Sequence, residues 1–434
     1  MKNVSRSVRM GTAASLAVVL GLTLSACGSS SGEQAASSGD GNLRWSWWGS
    51  DPRHQANQKI IEQYQTANPD VTISGEYADF SGYWDKLATT TAGRDAPDVI
   101  TMDEKYLQEY AGRGALADLK ELPNLDLSKF DEPSLALGEY EDGLYGLSTG
   151  RNAFTVVINE DLFAKAGVPV PDTTTWTWDD YYRISKEVSD KLGLPGSDYG
   201  NAPDASLRIW LRQHGESLYN EEEGTVGFTE ETAASHFEHL LKIRDEAGGA
   251  SAAQWTEDQS GTFEGQSFPN NEIAMSWYWS NQLGVLRETS GSNITMHQAP
   301  SDSGEAADNG MYFKASMYWS VSSQSDDQEA AADLVNYLAN NEEAAKVMLV
   351  DRGVPVNPDM AAAVKPELEE SDQTVVEFLD DIEEDVAASP KPSPVGTAGV
   401  QDVIIRYNSE VLFGNLTPEE AASQMLDEID GMIQ

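Results

Sequence analysis

Cysteine is nearly absent: Cys27 is the single one among 434 residues. One thiol cannot close an intrachain disulfide, and a chain this long can bury enough surface to do without one. Histidine is scarce too, at five, which leaves little for a zinc site or for imidazole-assisted nucleophilic chemistry. His236 and His239 flank Glu238 in a helical stretch with no third ligand nearby in sequence. That spacing reads as a solvated helical face, so neither a metal nor a cofactor is expected. Basic residues are few, 28 against 72 acidic, for a net charge of −44. Such a field repels nucleic acid and anionic lipid headgroups. The acids are spread along the chain, which describes a solvated acidic surface rather than a cation site. No Gly-x-Ser-x-Gly, His-Glu-x-x-His or phosphate-loop pattern occurs. Beyond residue 26 no apolar run is long enough to span a bilayer.

What is present begins with Lys2, Arg6 and Arg9, then the apolar stretch Ala13 to Leu24. A basic start, a short apolar core and small residues at the end form a secretory signal over residues 1–26. Leu24-Ser25-Ala26-Cys27 resembles a bacterial lipobox. The resemblance implies cleavage before Cys27, a diacylglycerol group on its thiol and acylation of the new amine. Several acyl chains together anchor stably, at ~0.8 kcal/mol per buried methylene. Residues 27–42 are small, polar and without periodicity, and read as a flexible linker. The expected location is the outer face of the cytoplasmic membrane, in a cell with no outer membrane (Gram-positive).

Removing 26 residues leaves 408, above the ~250–300 at which one core stops growing, so two lobes are expected. Leu43–Trp48 alternates and is rich in aromatics, as a strand does. A helix from Pro52, a strand over Val71–Ile73, a helix over Phe80–Thr91 and a strand over Ala96–Met102 follow. Strand, helix, strand, helix, strand is the pattern of a parallel α/β sheet. Thr177 and Asp180, and later Thr417 and Glu420, are spaced as capping boxes that open helices. Residues 193–205 read as loop and residues 294–297 as a strand. Ser389 to Pro394 reads as a rigid extended loop.

Four stretches then carry a resemblance: Asn68-Pro69-Asp70-Val71; Gly93 to Val99 with Gly114 to Leu119; Asp142 to Leu147 with Val156 to Asn159 and Pro171 to Asp180; and Leu334 to Leu338 with Gly353-Val354-Pro355-Val356. In this order the chain resembles the extracellular solute-binding proteins of ABC sugar importers, the group that includes maltose-binding protein. The resemblance implies an α/β fold of two lobes, each a largely parallel sheet flanked by helices, joined by hinge strands that let the lobes close on a ligand. By register, lobe one is 43–148 plus 301–350 and lobe two is 152–297 plus 357–434. The hinges then fall near 148–152, 297–301 and 351–357. The implied partners are a sugar or oligosaccharide and the membrane subunits of an ABC permease, with the protein a monomer and not an enzyme.

Sugar recognition needs flat apolar faces and planar polar groups that grip hydroxyl pairs. In open α/β sheets the ligand lies at the carboxyl ends of strands. That selects Trp47, Trp48, Asp51 and Arg53 after the first strand, Asp79, Phe80 and Tyr83 after the second, and Asp103 and Glu104 after the third. Trp45 shares a strand face with Trp47 and is assigned to the core. The resemblance adds Asn152 at the first hinge and Trp277 and Trp279 in the second lobe; Tyr318 follows the second hinge. Alternative readings are a secreted glycoside hydrolase, whose two carboxylates would be hidden among the acids, and a binding protein for a non-sugar solute.

Overall fold

The structure is a computed structural model and describes residues 41–49, 51–220, 224–386 and 388–433. Cys27, the signal segment and nearly all of the linker lie outside them.

The first sheet grows from alternation between strands and amphipathic helices. Strand β1 (Asn42–Trp48) leads to helix α1 (Asp51–Ala67), β2 (Thr72–Ala78), α2 (Phe80–Ala92), β3 (Val99–Met102) and α3 (Glu104–Gly112). Asp79 caps α2 by accepting from the Gly82 amide at 2.9 Å, and Asp103 caps α3 by accepting from the Lys105 amide at 3.1 Å. β1 pairs in parallel with both β2 and β3. Two further strands, β4 (Leu147–Ser148) and a late strand at Tyr318–Val321, complete the order β2–β1–β3–late strand–β4. The late strand runs antiparallel to β3 and to β4. One face buries Trp45, Trp47, Ile60, Val99, Trp319 and Leu334. The other buries Trp48, Tyr83, Trp84, Met102 and Tyr318.

The second sheet is built on β5 (Arg151–Asn159), followed by helices α4 (Trp178–Leu192), α5 (Pro203–Gln213) and α6 (Glu230–Asp245). Strands β6 (Met275–Trp279), β7 (Ile294–His297) and β8 (Phe313–Ala315) all pair antiparallel with β5. The late strand of the first sheet is therefore β9 (Tyr318–Val321), and α7 (Gln328–Asn340) and α8 (Glu342–Met348) follow it. A second large core gathers Phe154, Val156, Trp178, Phe237, Trp277, Met311 and Tyr312. The last helices, α9 (Val400–Leu412) and α10 (Pro418–Asp430), pack on α6.

Three features differ from expectation. The second sheet is antiparallel around β5, not largely parallel. Residues Asn152 to Asn159 are all buried, so β5 reads as the continuous apolar run of a parallel strand, and such a run does not encode direction. The chain returns to the first sheet between Ala315 and Tyr318, not at 297–301, because β8 pairs with β5 and Ala299, Met311 and Tyr312 pack in the second core. His236 and His239 are buried on α6 rather than solvated: the His239 ring stacks 4.6 Å from Trp210, and its Nδ1 meets the Tyr182 hydroxyl at 2.5 Å.

Where the chain passes between sheets, backbones touch. Arg151 and Val354 exchange amide hydrogen bonds at 2.9 and 3.2 Å. Gly353 has φ +81°, and a Cβ there would meet the Arg151 carbonyl at 2.8 Å; a Cβ on Gly150 would meet the Arg352 carbonyl at 2.5 Å. No residue but glycine fits that approach without displacement.

Candidate functional site

The carboxyl end of the first sheet faces the second across a cluster of buried charges. Asp103 and Glu104 stand at the end of β3 and the start of α3. Lys314 on β8 reaches across, its Nζ 3.6 Å from Glu104 and 3.8 Å from Asp103. The same ammonium lies 4.8 Å from the centre of the Trp279 ring, within cation–π range. Lys105, the residue after Glu104, lies 3.2 Å from Asp204 on α5 and also bonds Gln401. Arg208, one turn along α5, lies over the rings of Tyr219 and Tyr312. Gln108 donates to the Pro392 carbonyl at 3.0 Å. Three acids and three bases thus meet with their charges balanced, and the two sheets stand closed on each other along this line.

The electrostatics follow from burial and neighbours. Burial works against the Lys314 charge, but the carboxylates of Asp103 and Glu104 outweigh it and push the ammonium up. Burial also disfavours the Asp204 carboxylate, yet Lys105, Lys314 and Arg208 hold it below the usual range. Lys314 and Asp204 therefore keep their charges because their partners are present. Carboxylates, cations and an aromatic face in one buried place are the groups that grip hydroxyls and stack on sugar rings.

Of the sequence-selected residues, Asp103, Glu104, Trp279 and Tyr318 come together here. Asn152 sits beside them, paired in register with Lys314 and donating to Asn281 and Ser316 at 3.1 and 3.0 Å; its Oδ1 is buried with no partner. A second group forms at the start of α2, where Trp48 meets Phe80 edge-on at 5.4 Å and lies 5.3 Å from Tyr83. Phe80 is 41% exposed there. Asp79 is spent as a helix cap, and Asp51 is exposed at the start of α1. The Tyr83 hydroxyl is buried, donating to the Thr101 carbonyl at 2.6 Å. Arg53 clamps Asp351 through Nε–Oδ2 at 2.7 Å and donates to the Trp48 carbonyl, tying β1 to the third passage between sheets. Two tryptophans belong to the packing instead. Trp47 joins Trp45 in the first core, its Nε1 donating to His54 at 3.0 Å, because both rings lie on the strand face that α1 covers. Trp277 is stacked between Phe154 and Trp178 in the second core; Trp279 shares its strand face and also meets Phe154, but stands at the end of β6, beside Lys314.

Sequence reasoning missed Lys105, Asp204, Arg208, Lys314 and Asp351. Lys314 carried a usable signal: a lone base in the short stretch from Met311 to Tyr318, otherwise apolar but for Ser316, of a base-poor chain. Asp204 follows Ala202-Pro203, a helix start hidden in a stretch read as loop.

The chain has recognisable relatives. The arabinooligosaccharide-binding protein of Bacillus subtilis is 25% identical over 231 residues, 52% of each chain; the chain spans about half the length of that curated relative. An oligogalacturonide-binding protein of Yersinia enterocolitica, solved with saturated digalacturonic acid, superposes with a TM-score of 0.79 at 21% identity, covering 90% of this chain and 98% of that one. An ABC substrate-binding protein of Listeria monocytogenes, solved with cycloalternan, gives 0.76 at 23% identity over the same shares. The fold is therefore the two-lobed one of these proteins. The profile of the bacterial extracellular solute-binding proteins matches residues 59–374, and the chain belongs to that family.

Proposed function

We propose that this protein captures a sugar, most simply an oligosaccharide, between its two lobes and delivers it unchanged to the membrane subunits of an ABC importer. The carrying observation is the balanced charge cluster, contributed by both sheets and roofed by Trp279. A polyhydroxylated ligand offers hydroxyls that can replace Lys314 at Asp103 and Glu104, and ring faces that can lie on Trp279 or on the exposed Phe80. Lobe one is taken as 42–148 plus 318–350 and lobe two as 151–315 plus 357–433, turning about the three passages between them. The names of the relatives, two of which include an oligosaccharide, support the ligand class. The Cys27 lipobox supports a lipoprotein held at the outer face of a Gram-positive cytoplasmic membrane, working as a monomer. A hydrolytic role would need two carboxylates placed across one glycosidic bond with room for water; Asp103 and Glu104 are instead adjacent and engaged by one lysine. Titration calorimetry against a glycan panel, with product analysis, tests the reading. A glycan bound and recovered intact supports it; turnover, or binding of amino acids, peptides or polyamines alone, refutes it.

A further inference from the structure

A sugar ring laid on Trp279, with its hydroxyls on Asp103 and Glu104, displaces Lys314 from every group that holds its charge. The Lys314 ammonium lies 4.8 Å from the Trp279 ring centre, 3.6 Å from Glu104 and 3.8 Å from Asp103. Both ion-pair distances exceed hydrogen-bonding range, and among the described residues the ammonium makes no hydrogen bond. Lys314 is only 7% exposed. A buried cation stripped of its partners is costly. Lobe two therefore needs a replacement for the two carboxylates when a ligand takes them.

A second cation stands beside it in the same condition. Arg208 on α5 is 5% exposed, and its Cζ lies over the rings of Tyr219 and Tyr312 at 5.9 and 5.8 Å. The rings attract the charge. Yet among the described residues none of its N–H groups makes a hydrogen bond and no carboxylate is within ion-pair reach. Asp204, one turn back on the same helix, is paired with Lys105 at 3.2 Å. Tyr312 joins the two cations. It stands two residues before Lys314 in an extended run, on the same side of the strand. Its hydroxyl is pushed up by burial and sits in the field of both Arg208 and Lys314. That hydroxyl also has no hydrogen-bond partner among the described residues. The polar atoms of these three side chains are not among those sealed from water, as Oδ1 of Asp204 and Oδ1 of Asn152 are. Lobe two thus presents an ammonium, a guanidinium and a phenol with unspent donors, beside the Trp279 ring.

We propose that the captured oligosaccharide carries a uronic acid, whose carboxylate is taken by Lys314 and Arg208 with the Tyr312 hydroxyl donating to it. The inference rests on the reading of a sugar held between the lobes. A neutral sugar supplies hydroxyl oxygens but no charge, and leaves two cations without an anion in a closed cleft. A carboxylate replaces Asp103 and Glu104 at Lys314 and matches the planar fork of Arg208. The net charge of −44 opposes an anionic guest at a distance. Salt screens that field beyond ~10 Å at 0.1 M, so contact with the two cations decides affinity.

The test is titration calorimetry on the purified protein. Oligosaccharides of galacturonate, glucuronate and mannuronate are compared with their methyl esters and with neutral oligosaccharides. Esterification removes the charge and keeps the ring. At least one acid should bind about tenfold or more tighter than its ester. Arg208→Lys keeps a charge and loses the fork, so the ratio of acid to ester affinity should fall about tenfold. If that variant does not fold, Tyr312→Phe, which removes one donor, should lower the same ratio. Neutral glycans bound, with every acid no tighter than its ester, overturns the proposal and leaves sugar capture standing. An acid preference that the variants keep unchanged places the carboxylate elsewhere and overturns it too. No glycan bound at all overturns both readings.

Discussion

Lys314→Met removes the cation that joins Asp103 and Glu104 of the first sheet to β8 of the second. At 3.6 Å and an effective dielectric of about 20, its attraction to Glu104 alone is roughly 4–5 kcal/mol. Desolvation of the three charges takes back much of that. Deleting one partner still leaves two acids buried without it, a loss of about 3–5 kcal/mol in comparable sites. The molecule has an escape that a single core lacks, because parting the lobes returns both carboxylates to water. The penalty is therefore capped at the free energy of opening, and the ligand-free variant should open rather than unfold. Small-angle scattering should show a larger radius of gyration for Lys314→Met than for the parent, with a melting temperature nearly unchanged. Adding Glu104→Gln should recover part of the closure, with a coupling of about 1–3 kcal/mol. An unchanged scattering profile with a sharply lower melting temperature would refute the reasoning, since the cluster would then be part of the folding core and not a closure contact.

Trp279→Ala should weaken glycan binding at least tenfold with little change in melting temperature, whereas Trp277→Ala should destabilise the protein by about 3–5 kcal/mol, as calorimetry and urea titration will distinguish. Asp198 is fully buried, so burial raises its carboxyl to about 7 even though Ser276 and the Gly200 amide favour the charged form. The folded state then holds its proton where the unfolded chain has lost it. Its contribution, on the order of 4 kcal/mol, is complete below pH ~4 and disappears as pH rises through about 7. Asp198→Asn should remove that fall, measured as the difference between parent and variant stability from pH 4 to 8. Cys27→Ala should leave glycan affinity intact while releasing the protein from membranes into the medium, as fractionation and uptake assays will show.

The elements that punctuate the chain were legible because their chemistry is local. Thr177 and Asp180 exchange the reciprocal bonds of a capping box at 3.2 Å, and Thr417 and Glu420 do the same at 3.0 and 3.2 Å. Asp103 was readable as lying at a strand's carboxyl end, where the loop must hold either a cap or a ligand group; it caps α3 with one oxygen and faces Lys314 with the other. Pairing across the sheets was not legible. Nothing local to Lys314, Asp204 or Lys105 says that they meet, since that depends on how one sheet approaches the other. The same holds for Trp47 and Trp48. Alternation places them on opposite faces, but only the position of α1 decides that Trp47 lies under a helix. Strand direction around β5 was hidden for a related reason, because burial on both faces erases the pattern that separates antiparallel from parallel.

The central claim is that the ligand lies where the two sheets meet, and a crystal structure with a glycan selected from the panel tests it most directly. The account predicts a sugar ring on Trp279, or on the Phe80 and Trp48 pair, with hydroxyls bonded to Asp103 or Glu104 and contacts from both lobes at once. A glycan bound to one lobe alone, for instance in the outer pocket between Trp178, Tyr182 and Trp210, with the Lys314 cluster undisturbed, would contradict it.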